Sequence, residues 1–265
     1  FGCTVSVDGK LTGGKFISGG GSISYFCAST GEVSDASIYA VNGARLQGDS
    51  RNIFCRATTG TALDIRGTGE YHNLLGISLG SYGIFSNSNC KVYNSTGISF
   101  ANFGIWNSGG GKYYSCHGYS SSVIGFFSNS INGEVVDCSG GSEGNYSVCI
   151  SGRAYSCFAQ SSSSQAVRLS NDAIWLNGEA ESTYNNASGH AYYSSSTSGL
   201  AGVYNSFGKV ANASANGVHC VSSANNIRFG NNTFDGCTLI LNTGTTGVLN
   251  LQTNAPDTEG NILVG

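Results

Sequence analysis

Proline is nearly absent from this chain, with one in 265 residues, and methionine is missing altogether. Charge is scarce as well, at 10% of residues. A nucleic-acid binder needs a basic stripe, yet 12 Lys and Arg stand against 15 Asp and Glu, a formal net charge of −3. No apolar run is long enough to cross a bilayer, and no secretory leader precedes the first repeat. Neither nucleic acid nor membrane insertion is therefore expected. The chain opens on Phe1 instead of Met, as a piece of a longer protein would. Helix-forming runs are lacking too, because Gly, Ser, Asn, Thr and aromatic residues dominate.

What is abundant is glycine, 40 residues, beside 11% aromatic and 40% hydrophobic residues. Disordered Gly/Ser linkers lack that apolar content. Collagen needs Gly at every third position, which is not found. The remaining class is β-structure with many tight turns.

The sequence repeats itself. L-L-G-I-S-L-G-S-Y-G-I-F from Leu74 returns 21 residues later as S-T-G-I-S-F-A-N-F-G-I-W from Ser95, and Gly125-Phe126-Phe127 answers both endings. Small residues open one strand of each unit at Gly43, Ala62, Gly83, Gly104, Gly125, Ser147, Ala166, Ala191 and Gly217, with intervals of 19, 21, 21, 21, 22, 19, 25 and 26. A second strand ends at Cys27, Cys55, Leu74, Ser95, Cys116, Cys138 and Cys157, and a third apolar segment such as Gly76-Ile77-Ser78-Leu79 follows. Three short strands per coil of about 19–26 residues describe an all-β parallel β-helix, in which each coil buries its apolar face against its neighbours. Residues 1–21 read as an entry or capping segment, 22–237 as the β-helix and 238–265 as a C-terminal cap or oligomerisation segment. Asp172 to Asn177 and Thr197 to Asn205 read as insertions in the longer coils.

Ten cysteines invite a disulfide reading. Cys27, Cys55, Cys116, Cys138 and Cys157 share one place in the repeat, where parallel side chains about one strand spacing apart seldom offer the disulfide dihedral. They read as free, inward-packed thiols, which favours assembly in a reducing cytoplasm.

Units such as G-I-F-S-N-S-N-C-K-V-Y-N-S and G-V-H-C-V-S-S-A-N-N-I-R-F-G-N-N resemble the right-handed, single-stranded parallel β-helix of the pectate-lyase-like class, and within it bacteriophage tailspike proteins. The resemblance runs from about Ser22 to Cys237 and is architectural. It implies a homotrimer on the virion tail, assembled in the host cytoplasm, that binds and often cleaves host surface polysaccharide without a cofactor. Two rivals stand beside a receptor-binding tailspike or tail fibre: a polysaccharide depolymerase, glycosidase or lyase, on the same scaffold, and a structural solenoid with no glycan site.

Strand alternation turns the residue after each opener inward and the next one outward. That outward file reads Arg45, Asp64, Phe85, Trp106, Phe127, Cys149, Arg168, Tyr193, His219. Exposed aromatic rows call for a partner. Phe85, Trp106, Phe127 and Arg168 are therefore expected either to stack on sugar rings or to be covered in a trimer interface or under a loop. Another file, Arg51, Glu70, Lys91, Lys112, Glu134, Arg153 and Lys209, reads as a solvated face with cross-strand charge pairing. Ile53, His72, Tyr93, Tyr114, Val136 and Tyr155 run beside it, outward, and make Tyr93, Tyr114 and Tyr155 a second candidate sugar surface. Asn73, Asn94 and Asn212 then mark a turn. For catalysis, Glu179 and Glu181, with Asp172 and Arg168 near them, form the densest acidic group; a glycosidase needs two carboxylates about 5–9.5 Å apart. Glu134 and Asp137 share a short strand, where Asp137 takes a turn position. His72, His117, His190 and His219 share no metal-ligand spacing with the cysteines, so no metal is expected.

Overall fold

The structure, a computed structural model, describes residues 4–6, 10–19, 24–27, 31–194, 200–220, 226–237, 241–242 and 262–264. Among the described residues every regular element is a strand. Strands stack in parallel, coil upon coil, into a β-solenoid of about eight turns with three strands per coil. The first face is built from the strands after the small openers, Ala44–Leu46, Leu63–Ile65, Ile84–Ser86, Ile105–Asn107, Phe126–Ser128 and onward to Val218–Cys220. The second face holds Lys91–Tyr93, Lys112–Tyr114, Glu134–Val136, Arg153–Tyr155 and Ile174–Leu176. The third holds Thr96–Ser99, His117–Ser120, Ser139–Ser142, Phe158–Ser161, Glu179–Ser182 and Phe207–Val210. Pairing also reaches the N-terminal side of Ser22: Thr4–Ser6 pairs with Tyr25–Cys27, and Lys10–Ile17 pairs with Glu32–Tyr39. Most of 238–265, read as a cap, lies outside the described residues, as do positions 197–199.

One left-handed residue per coil turns the chain from the second face to the third. Asn52, Asn73, Asn94, Ser115, Asp137, Ser156, Asn177, Asn205 and Asn231 all have φ between 48° and 56°. Left-handed backbone crowds Cβ against the carbonyl, and Asn and Asp tolerate it best among residues with a side chain. The corner amides also bond along the axis, with Asn73 Nδ2 donating to Asn52 Oδ1 at 2.9 Å and Asn52 Nδ2 to Asp35 Oδ1 at 2.7 Å. Asn73→Ala is expected to lower stability by about 1–2 kcal/mol. Asn73→Gly should lose less, since Gly takes positive φ freely. Urea midpoints of the two variants decide it, and equal losses would assign the effect to the amide alone. Asn212 is not in this row: its side chain donates to Asn185 Oδ1 on the loop after the third face.

The core is thin and filled in two ways. On one side the inner residue of the third face lies seven positions before the opener of the first, and both are small: Gly76 and Gly83, Gly97 and Gly104, Gly118 and Gly125, Gly140 and Ser147, Ala159 and Ala166. A Cβ on Gly97 would meet Gly104 O at 2.3 Å, so glycine there is a steric requirement. On the other side the inward file of the second face reads Tyr71, Val92, Tyr113, Val135, Ala154, Trp175, Val203, all fully buried, with bulk varying from coil to coil. The G-x-S motif is explained by a buried serine file. Ser78, Ser99, Ser120, Ser142, Ser161 and Ser182 donate to a carbonyl in the corresponding loop of the preceding coil at 2.5–2.8 Å, and the first five accept from an amide of the loop that follows in their own coil. A sharp turn thereby keeps its polar groups satisfied beside the core.

Cys55, Cys90, Cys116, Cys138, Cys149, Cys157 and Cys237 are free and buried. Burial raises the thiols of Cys55, up to about 12, and of Cys157, to about 11, and the buried cysteines behave as small hydrophobes. Cys116, Cys138 and Cys157 do share one position just past the corner. Cys55 and Cys27 do not: Cys55 is in register with Gly76, and Cys27 ends a first-face strand. Strand Ser50–Ala57 runs through the corner at Asn52, so S-R-N-I-F-C straddles the bend. The same bend moves Arg51 opposite His72 and sends Ile53 inward beside Leu74. Lys209 belongs to the third face. Residues 172–177 are no insertion either, because Ile174–Leu176 pairs in register with Arg153–Tyr155 and puts Trp175 in the core. Likewise Leu200–Tyr204 is a second-face strand paired with Asn226–Gly230. One added length within the described residues is the loop 183–191, nine positions against five at 162–166.

Candidate functional site

Each face carries files of outward side chains spaced by about 4.8 Å along the axis, and the three differ in what their rings leave open. On the first face Phe85, Trp106 and Phe127 are register neighbours. They are half-buried, because the residues just before the openers, Tyr82 and Phe103, fold over them. Tyr82 lies 4.7 Å and Phe103 5.6 Å from the Trp106 ring, and Phe85 lies 4.9 Å from it. The indole Nε1 of Trp106 is buried with no hydrogen-bond partner. Arg66 covers the Phe85 ring at 5.1 Å. Arg168 stands further along, beyond buried Cys149, with its guanidinium 5.2 Å from the Tyr146 ring. This cluster consumes its own ring faces. The signal for Tyr82 and Phe103 in the repeat is an aromatic directly before the successive openers Gly83 and Gly104.

The second face shows the same self-covering. His72 and Tyr93 stack at 4.6 Å with rings 7° apart, and Tyr93 and Tyr114 at 5.0 Å and 13°. Val136 follows Tyr114 in register and separates it from Tyr155. Ring faces are mutually occupied along His72, Tyr93 and Tyr114, while Tyr155 stacks on none of them. Beside it Lys91 pairs with Glu70 at 2.9 Å and Lys112 with Glu134 at 3.2 Å. The hydrogen bond from Lys91 holds the Glu70 carboxyl below its usual range.

The third face differs, and it carries concavities. Its first outward file reads His117, Ser139, Phe158, Glu179, Phe207, Thr233 in register. Phe158 and Phe207 are separated by Glu179, and neither ring meets another aromatic ring among the described residues. A groove of about 610 Å³ runs along the corner beside this file, lined by Phe158, Glu179, Phe207 and Thr233 and by the corner residues Asn177, Asn205 and Asn231. The second outward file reads Tyr119, Gly141, Gln160, Glu181, Lys209. The missing side chain at Gly141 leaves a hollow of about 370 Å³, and Phe158 borders both this hollow and the groove. Tyr119 donates its hydroxyl to Glu143 Oε1 at 2.6 Å, which raises the phenol above its usual range. His117 Nδ1 and Ser139 Oγ lie 2.7 Å apart. The resulting track, from His117 to Thr233, spans five coil steps, about 24 Å.

The acidic candidates are divided by this geometry. Glu179 is exposed in the groove. Glu181 is held by Lys209 at 3.2 Å and by Gln160 Nε2 at 2.8 Å. Asp172 lies at the turn between the first and second faces, and Arg168 on the first, so neither joins Glu179 and Glu181 on one face. Asp137 is a corner residue. Among the described residues no group of three or more His, Cys, Asp or Glu could hold a metal ion. Phe158, Phe207, Tyr119 and Gly141 were not singled out by the sequence reading. The signal for the two phenylalanines is an aromatic that recurs with interruptions directly after the inward corner residue, as in Cys157-Phe158 and Ser206-Phe207.

Fold and surface together define a parallel β-solenoid with an open lateral track. Comparison with protein-family descriptions, curated proteins and solved structures finds no match.

Proposed function

We propose that this chain is the saccharide-binding β-solenoid of a bacteriophage tailspike or tail fibre, which attaches the virion to host surface polysaccharide. One observation carries the reading: on the third face Phe158 and Phe207 stand apart from other rings in an open groove lined by amides and hydroxyls. Sugar rings offer apolar C–H faces to aromatic faces, and hydroxyls to Asn, Ser and Thr. A shallow track about 24 Å long suits a chain ligand better than a small metabolite, which favours enclosed pockets. In a trimer, three such tracks would turn weak sugar contacts into avidity.

Binding is favoured over cleavage by the carboxylates. The partner Glu179 would need is Glu181, and Lys209 and Gln160 occupy both of its oxygens. A depolymerase would release reducing ends from a bound polysaccharide; an adhesin would not.

An array of bacterial surface polysaccharides tests the proposal. The protein is expected to bind a subset, and Phe158→Ala/Phe207→Ala to bind it roughly tenfold to a hundredfold more weakly, at about 0.5–1.5 kcal/mol per ring contact. No binding across the array, or undiminished binding by the folded double variant, would sink it.

A further inference from the structure

Gly141, on the outward file, stands apart from the glycines of the inner files. Gly76, Gly97, Gly118 and Gly140 each face backbone that a Cβ would strike at 2.2–2.4 Å. A Cβ on Gly141 would meet only Tyr119 Cδ2, at 3.4 Å, an ordinary contact, and its φ lies outside the left-handed range. Neither packing nor backbone conformation asks for glycine here. Its consequence is space: in the file Tyr119, Gly141, Gln160, Glu181 one side chain is missing, and the hollow lies there.

Resting on the saccharide reading above, we infer that the hollow floored by Gly141 is a subsite for one uncharged pyranose unit of the bound chain. Its volume of about 370 Å³ lies at the low end of small-ligand sites, about 300–1,000 Å³, which fits one ring and not a chain. Phe158, 37% exposed, forms the wall shared with the groove, so a unit seated in the hollow is continuous with a chain lying along Glu179 and Phe207.

The polar lining is rich in acceptors. Tyr119 spends its proton on Glu143 Oε1, and Gln160 gives one of its two amide hydrogens to Glu181 Oε2. That leaves the Gln160 carbonyl, the Tyr119 lone pairs and the rest of the Glu143 carboxylate to accept bonds from sugar hydroxyls. No lysine or arginine lines the hollow, burial disfavours the charged form of His117, which does line it, and Glu143 gives it negative charge. A uronate or sialate carboxylate would meet that charge without a cationic partner, so acidic sugars are rejected by repulsion and desolvation.

The test uses the polysaccharides that the unaltered protein binds on the array. Gly141→Leu fills the hollow and is expected to weaken binding at least tenfold with an unchanged melting midpoint. Gly141→Ala places one carbon beside Tyr119 and should show a smaller loss of the same sign, which serves if the leucine variant melts early. Bound members are expected to carry an uncharged sugar, and polyuronates to fail. Wild-type binding by both Gly141 variants, while Phe158→Ala/Phe207→Ala loses it, overturns the subsite and leaves the saccharide reading standing. Preferential binding of polyuronates overturns the uncharged assignment. Absence of binding to every polysaccharide overturns the saccharide reading itself.

Discussion

Gly118→Val is expected to abolish folding. A Cβ at Gly118 would stand 2.3 Å from Gly125 O and 2.8 Å from Gly125 C, and both atoms are backbone. Overpacking against side chains costs about 1–3 kcal/mol because rotamers yield. Here there is no rotamer to move, so the third face must part from the first within one coil. That displacement would break register with Gly97 on one side and Gly140 on the other. Against a total stability of about 5–15 kcal/mol for a typical protein, the variant should appear as insoluble chain without a β-type circular dichroism spectrum. Soluble protein with the wild-type melting midpoint would refute the thin-core account. Gly141→Val provides the contrast, since a Cβ there, on the outward file, meets Tyr119 Cδ2 at 3.4 Å and no backbone.

The second large effect is expected from Trp175→Ala, a loss of about 3–5 kcal/mol. Trp175 is fully buried and lies in register between Ala154 and Val203, so its indole fills volume that its file neighbours do not. Its ring also meets that of Tyr192 edge-on at 6.1 Å. Smaller side chains above and below leave nothing to collapse into the void. The guanidinium denaturation midpoint reads the loss, and a shift equivalent to less than about 1 kcal/mol would place the indole outside the core. In a stack of coils that contact only their neighbours, the weakening is local.

Much of the architecture is legible in the repeat itself. The first-face strands start where the small openers put them, and the outward file from Arg45 to Tyr193 pairs in the expected order. Gly and Ser mark these positions because backbone contact and buried hydroxyl bonding leave few alternatives. The second face was harder to read. Asn52 bends a strand that continues through the corner, and its left-handed conformation shifted the frame of Arg51, Ile53 and Cys55. The longer coil after Ala166 made the regular strand Ile174–Leu176 read as an addition, although the added length lies in the loop 183–191. The site was less legible still, for a physical reason. Aromatic recurrence points to files, but rings in consecutive coils cover one another, as His72, Tyr93 and Tyr114 do. Ring faces stay open where the recurrence is broken, at Phe158 and Phe207, and a search for uninterrupted rows passes over such places.

Strand partners such as Ile84 with Ile105, and Ile105 with Phe126, lie 21 residues apart along the chain. Each added turn therefore closes a loop of nearly constant size, with an entropy cost that grows only as the logarithm of loop length. Once two turns have met, growth proceeds in equal increments toward either end. A barrel must close at a fixed number of strands; a stack of this kind has no closure condition, so whole turns can be gained or lost in evolution while the cross-section is kept.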